Sequence, residues 1–319
     1  MAIADGKPRS NLTTIRPFQN ADVPGLLEAW IEHWASFGPA PQLSVAKFEQ
    51  AVLARRSFRQ SEMRVAIQND QVVGWASIAA SATDETVAVL YALCFAPGPD
   101  QTGDQLLTAM QQAAKDAGFQ KLQVGVVRDQ SFGLAGLDPI GHGVAVPQTD
   151  AATGRVLAAA GFAEQAELVR MAASTHGYRP PISRESMQLR RTSQVRTDNH
   201  FFDDARQASA MAHLDVETNR LFDRGGNQLA NLDFWYSDPE AEVMNPTVAI
   251  VDLGEAYRRG RLETAELYLL GTILQSMEQR RVLVAETAIE SDRAELINQL
   301  QSLRFQILYA GNRWEKQIT

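Results

Sequence analysis

The sequence predicts an α/β protein built as two similar halves in tandem, and three observations lead there. Residues 86–118, TVAVLYALCFAPGPDQTGDQLLTAMQQAAKDAG, pass from an apolar strand through a Pro/Gly-rich turn into an amphipathic helix. The same order of strand, loop, helix and strand returns at 246–288, PTVAIVDLGEAYRRGRLETAELYLLGTILQSMEQRRVLVAETA. Between them STHGYRPPISRES, at 174–186, has two prolines, a glycine and few apolar residues, the composition of a linker. At 319 residues each half is long enough to bury its own core without a disulfide or metal. The boundaries read as a flexible N-terminus at 1–12, a first half at 13–173, a linker at 174–185 and a more divergent second half at 186–319.

Taken in order, 13–18 (TTIRPF) has strand character, and Asn20, Ala21 and Asp22 start a helix with apolar residues at Val23, Leu26, Leu27, Trp30 and Ile31. A Gly/Pro-rich break at 37–42 precedes a second helix over 44–56. Runs at 64–68 and 72–79, joined by Asn69, Asp70 and Gln71, read as a hairpin. After the 86–118 stretch, 122–127 is a further strand. Segment 128–150 is irregular yet apolar enough to be ordered, a length more often functional inside a compact domain. A helix over 151–160 stops at Gly161, and a strand at 166–173 closes the half. In the second half, 186–194 reads as the opening strand, 203–221 as a helical run, 224–228 (RGGNQ) as a turn and 229–237 as a strand. Beyond 288 a helix in DRAELINQLQSLRF and a strand in QILYAGNRWEK repeat the earlier ending.

Composition excludes several classes. A formal charge of −8 argues against a broad nucleic-acid surface, which needs clustered Lys and Arg. The N-terminal MAIADGKPRSNLTT has no apolar core segment, so neither signal peptide nor anchor is expected. No run reaches the roughly 18 apolar residues of a membrane helix. The one cysteine, Cys94, lies in an apolar run, which fits a reducing, cytoplasmic setting. Five histidines are scattered without ligand spacing, so no metal is expected. There is no Walker loop and no Rossmann glycine fingerprint.

At IRPFQNADVPGLLEAW, RVAIQNDQVVGWASI, the 86–118 stretch and RVLAAAGFAEQAELVRM the chain resembles the GCN5-related N-acetyltransferase (GNAT) superfamily, over 13–173 and again over 186–319. The resemblance implies two tandem GNAT-like domains, each a mixed twisted sheet flanked by helices, in which two parallel strands splay apart. Acetyl-CoA as co-substrate would thread its pantetheine into that gap and rest its pyrophosphate on the loop before the helix. A small-molecule or peptide amine would be the acceptor, with no nucleic acid or membrane involved and with an oligomer open.

Carried over residue by residue, Leu93, Cys94 and Phe95 lie where the splayed strand would pair with pantetheine, and Gln101, Thr102, Gly103 and Asp104 form the phosphate loop. Of the loop's three characteristic positions only Gly103 matches, with Gly98 and Gln101 at the other two. In the second half Arg261 matches, with Thr264 and Glu266 at the others. The tyrosine that often protonates the leaving thiolate is replaced by Leu157 and by Leu300, and Arg293 stands nearest the usual helix-start asparagine. Two catalytic candidates follow: His142, whose imidazole titrates near neutrality between glycines of a loop, and Tyr91, expected on the same strand face as Leu93 and reaching toward the acceptor. Each candidate also has a structural reading, as core packing, a helix-start turn or a single hydrogen bond. The helical spacing of His33, Trp30 and Trp34 is accounted for by packing alone. Two functions stand: an N-acyltransferase using acetyl-CoA, or an inactive tandem protein that binds a ligand or a protein partner.

Overall fold

Strands whose burial deepens from the edge inward open the chain. The structure, a computed structural model, describes residues 12–96, 101–125, 132–139, 141 and 143–318. Strands β1 (Thr14–Pro17), β2 (Met63–Gln68), β3 (Gln71–Ala80) and β4 (Val87–Phe95) form an antiparallel meander. The β2–β3 turn is Asn69–Asp70, at φ 49° and 63°, the left-handed pair that a two-residue hairpin demands and that Asn and Asp tolerate. Helix α1 (Val23–Ala35) buries Leu26, Trp30, His33 and Trp34 along one stripe. Helix α2 (Val45–Phe48), capped by the Ser44 hydroxyl, widens into a π-turn over Glu49–Leu53, so the helix expected over 44–56 is shorter. There follow α3 (Thr102–Asp116), β5 (Lys121–Val124), β6 (Val146–Pro147), α4 (Ala151–Ala159) and β7 (Ala163–Ser174).

The second half opens differently from its expectation. Of residues 186–194, read as a strand, 186–192 belong to helix α5 (Arg184–Thr192), nucleated by a reciprocal cap between Ser183 and Ser186, and only 193–194 fall in the strand β8 (Ser193–Asn199) that follows it. The helical run expected over 203–221 is a short α6 (Ala205–Ala210) followed by strand β9 (Leu214–Asp223). Leu214, Val216 and Thr218 are buried at a spacing of two, a strand period that a helical count across the turn at 211–213 blurs. Then come β10 (Gln228–Ser237), β11 (Val248–Asp252), α7 (Gly254–Arg259), α8 (Thr264–Met277), β12 (Val284–Glu290), α9 (Ala294–Ser302) and β13 (Gln306–Gln317).

Among the described residues the strands form one mixed, 13-stranded sheet, ordered β1-β2-β3-β4-β5-β13-β7-β12-β11-β10-β9-β8, with β6 beside β13. The parallel pairs are β4–β5 and β11–β12. The closing strands cross over: β13, from the second half, pairs with β5, and β7, from the first, pairs with β12. They also pair with each other at the centre. Trp314 of β13 and Ile318 just beyond it sit in the α3 side of the first half's core with Leu106 and Leu122. The α1 side takes Ala241 and Val243 from the second half. Backbone groups tie the halves as well: His213 Nε2 lies 2.7 Å from the Ala135 carbonyl and Arg206 donates to the Ala80 carbonyl at 2.9 Å. Among the described residues no helix is long and apolar enough to cross a membrane.

Candidate functional site

Strand β4 is buried at every position, the pattern of a strand covered on both faces. It runs parallel to β5 from Val87↔Lys121 to Leu90↔Val124, and the Gly125 amide donates to the Leu90 carbonyl at 3.2 Å. There β5 ends, with Gly125 at φ 101°, a conformation glycine takes without strain. Strand β4 runs on to Phe95, so a gap opens between the two parallel strands. The Ala96 amide bonds the Val73 carbonyl, and antiparallel alternation then points the backbone of Leu93 and Phe95 away from β3, into the gap.

A bulge shapes this edge. The β3–β4 register slips between Ile78↔Leu90 and Ser77↔Ala92, leaving Tyr91 as the extra residue. Tyr91 packs with the α1 side of the core and Leu93 with the α3 side. The expected shared face of Tyr91 and Leu93 is therefore corrected, because one inserted residue reverses strand parity. The Tyr91 ring stacks on Phe132 at 5.4 Å between centroids. Its hydroxyl accepts from Arg55 Nη2 at 2.8 Å and donates to Ser77 Oγ at 2.5 Å, since Ser77 Oγ in turn donates to the Glu62 carbonyl. Tyr91→Phe is expected to cost about 1–3 kcal/mol of stability, because the buried Arg55 loses an acceptor. Urea unfolding measures this, and a midpoint equal to wild type would refute the relay.

What fills the gap is the end of the irregular segment. Ala145 presses against Gly125, where an added Cβ would lie 2.8 Å from Ala145 Cβ. Asp150 caps α4 by accepting from the Thr153 amide at 2.9 Å. His33, fully buried on α1, bridges the mouth: its Nδ1 is 3.0 Å from the Phe95 carbonyl and its Nε2 3.2 Å from Asp150 Oδ2. A cavity of about 30 Å³ remains, between Leu93, Gly125, Thr153 and Trp34, room for about one water molecule. Two buried polar atoms at this cavity, Trp34 Nε1 and Thr153 Oγ1, have no hydrogen-bond partner among the described residues. Cys94 faces β3 with its backbone. Burial, with Asp150 adding to it, pushes its thiol well above the ordinary range, so the sulfur stays protonated and unreactive.

The α3 N-terminus stands beside the gap. Gln101 is its N-cap residue but makes no capping bond, Thr102 and Gly103 are buried, and Asp104 is exposed. Gly103 lies against the Phe95 ring, where an added Cβ would come within 2.8 Å of Cζ. The small residue at this position is thus required by packing as well as by any approach of an anion. His142, Gly98 and Asp100 lie outside the described residues.

The second half carries the same parting, since β11 and β12 separate after Ile250↔Glu286. Its helix start is closed by its own side chains. Glu263 and Glu266 cap α8 reciprocally, and Arg259 pairs with Glu266 at 2.5 Å. Arg261, the matching loop arginine, is 3.3 Å from Glu263. Arg293 donates to the Tyr257 carbonyl at 2.6 Å and covers that ring. Carboxylates already sit where a pyrophosphate would meet the helix amides, and they would repel it. Leu157 and Leu300, at the tyrosine position, are fully buried.

Between the halves lies a cavity of about 670 Å³. Trp34 belongs to its wall and to that of the 30 Å³ gap cavity. At the far side stand Arg170 of β7 and Tyr309 of β13. Arg170 donates to Glu286 through Nε at 2.9 Å and through Nη2, and to the Tyr309 hydroxyl through Nη1. Burial raises the Tyr309 phenol above its ordinary value.

No protein-family model matches the sequence, and no curated protein does. Solved structures match it along almost its whole length. A tandem GNAT protein from the clavulanic acid biosynthesis pathway superposes with a TM-score of 0.66 at 13% identity, over 97% of this chain and 99% of that one. The chain has the tandem GNAT fold. A GCN5-related N-acetyltransferase from Sphaerobacter thermophilus gives 0.62 at 11% identity over 96% of both chains. A glucosamine N-acetyltransferase region of a fungal multi-domain β-N-acetylglucosaminidase gives 0.68 at 11% identity, over 96% of this chain and 38% of that one. At such identities the likeness is one of fold.

Within this tandem GNAT fold the halves are unequal at the positions singled out in the sequence. The first brings Leu93, Phe95 and the start of α3 to one gap; the second closes its own. Sequence reasoning missed His33, Asp150, Arg55 and the Arg170–Glu286–Tyr309 cluster. A histidine inside the apolar stripe of α1 and an arginine just past the π-turn were the available signals, and their partners lie 117 and 36 residues away along the chain.

Proposed function

We propose that this protein is an N-acyltransferase that uses acetyl-CoA and works through its first half. The observation that carries this reading is the parted β4–β5 pair with Trp34 Nε1 and Thr153 Oγ1 buried and unpaired beside it. Unsatisfied buried polar atoms are costly, and an amide-bearing chain along the Leu93 edge would satisfy them. The uncapped α3 amides at Thr102, Gly103 and Asp104, following Gln101, would receive the pyrophosphate. The gap as it stands holds about 30 Å³, so the chain at 143–150 must draw back from Gly125 to admit pantetheine.

In this reading water or His142 takes a proton from the acceptor amine, whose nitrogen then attacks the thioester carbonyl carbon. A gap-facing β4 amide near Leu93 to Phe95 stabilises the oxyanion. The carbon–sulfur bond breaks, the CoA thiolate leaves and takes a proton from solvent. Tyr91, with its proton directed to Ser77, holds the bulge that aims those amides. Isothermal titration with acetyl-CoA and with CoA tests the reading: saturable binding is expected, and no heat at millimolar concentration would overturn it.

Two features favour a second reading, a binding protein without catalysis. The His33–Asp150 bridge and Ala145 fill the gap, and leucines stand at both tyrosine positions. Release of thiol from acetyl-CoA on addition of any amine would rule it out.

A further inference from the structure

We infer that the acceptor is a monoamine carried on an aromatic or branched apolar body, bound in the cavity between the halves, and that the second half supplies the far wall of this site. The inference rests on the acyltransferase reading for its chemistry, but the binding itself does not.

Position comes first. Trp34 is the wall shared by the gap cavity and the 670 Å³ cavity, so an amine lying in the larger space has its nitrogen nearest the thioester when it points at Trp34. The volume falls within the range of small-molecule sites.

The lining decides the class. Trp34, Phe37, Leu43, Leu137, Val243 and Tyr309 give the cavity apolar and aromatic walls, and prolines 39, 41, 139, 147 and 246 stiffen its rim. A sugar ring would bury hydroxyls against these walls with few partners, at a cost for each. Charge is the second criterion. The basic groups at the cavity are Lys47 and Arg170, and the acidic ones are Asp138 and Glu242, with Glu286 bound to Arg170. Lys47 pairs with Glu242 and Arg170 with Glu286, so among the described groups no cluster of carboxylates stands ready to hold several cations. A polyamine would bring two or three more cations into a largely apolar space. Lys47 is engaged by Glu242 at 3.2 Å, which keeps the one strand of chain contributed by α2 from repelling the amine.

The second half has the matching role. Val243 and Tyr309 come from it, and its own helix start is closed by Glu263 and Glu266. It thus builds the acceptor site while offering no second anion cradle.

The test is titration of the full chain, without acetyl-CoA, with 2-phenylethylamine, spermidine and glucosamine in turn, followed by tryptophan fluorescence and calorimetry. We expect 2-phenylethylamine to bind at least about tenfold more tightly than either of the others, equivalent to 1.4 kcal/mol. Leu43→Arg, at a half-buried wall position, adds bulk and charge and is expected to abolish that binding, while Leu43→Met keeps it and both retain the wild-type circular dichroism spectrum. Equal or tighter binding of spermidine or glucosamine, no binding of any amine, or full binding by Leu43→Arg would each overturn the inference. A parallel acetyl-CoA titration separates the two readings. If acetyl-CoA binds and the amine arm fails, the acceptor class falls; if 2-phenylethylamine binds and acetyl-CoA does not, acyl transfer falls and the cavity assignment stands.

Discussion

Deleting residues 306–319 is expected to leave no folded protein, in either half. Strand β13 is the strand that fills the centre of the sheet: on one side it pairs with β5 of the first half, on the other with β7. Its removal strips both of their hydrogen-bonded neighbour and opens two strand edges in the middle of the molecule. It also takes Trp314 and Ile318 out of the core packed under α3. Losing a buried tryptophan alone costs about 3–5 kcal/mol, against a total stability of about 5–15 kcal/mol for an ordinary domain. Far-UV circular dichroism and size-exclusion chromatography of the truncated chain measure the outcome. A soluble monomer with a cooperative thermal transition would show that each half closes its own sheet.

Arg170→Ala is the second large effect, expected at about 3–5 kcal/mol, the usual cost of breaking a buried ion pair from one side. Arg170 and Glu286 are 9% and 5% exposed, and the Arg170 guanidinium joins β7 of the first half to β12 of the second and to the Tyr309 hydroxyl. Without the guanidinium, Glu286 keeps its charge in an apolar interior where the two halves meet. The double variant Arg170→Met with Glu286→Met is expected to recover most of the loss, because it removes both charges and keeps the volume. Chemical unfolding of the three variants tests this. A single variant within the error of wild type, or a double variant as unstable as the single, would refute the brace.

Local patterns carried the element order well where period and punctuation agreed. The Asn69–Asp70 turn, the strand and the helix of the 86–118 stretch, the Gly161 helix stop and the repeated order at 246–288 all rest on contacts within a few residues, and the structure keeps them. The opening of the second half misled the reading at 186–194 and 203–221. There a serine cap hidden in a polar segment made a helix, and a period-two strand followed a short helix too closely for a single window to separate them.

The candidate site divides along the same line. That Leu93, Phe95 and Gly103 gather at one place follows from a strand leading into a helix, which any reader of the chain can see. That Tyr91 faces away from Leu93 depends on one bulged residue, and a bulge has no signature in the apolar run VAVLYALCF. The bridge from His33 to Asp150, the shared wall at Trp34 and the Arg170–Glu286 pair join residues more than a hundred positions apart or on different elements. Sequence periodicity records which side of an element is buried, and so it could name the fold and the strand that bears the gap. Which polar groups meet across that gap, and whose strand closes each half of the sheet, was set by long-range pairing, where the cost of burying an unpaired charge or an open strand edge selects one arrangement of the whole chain.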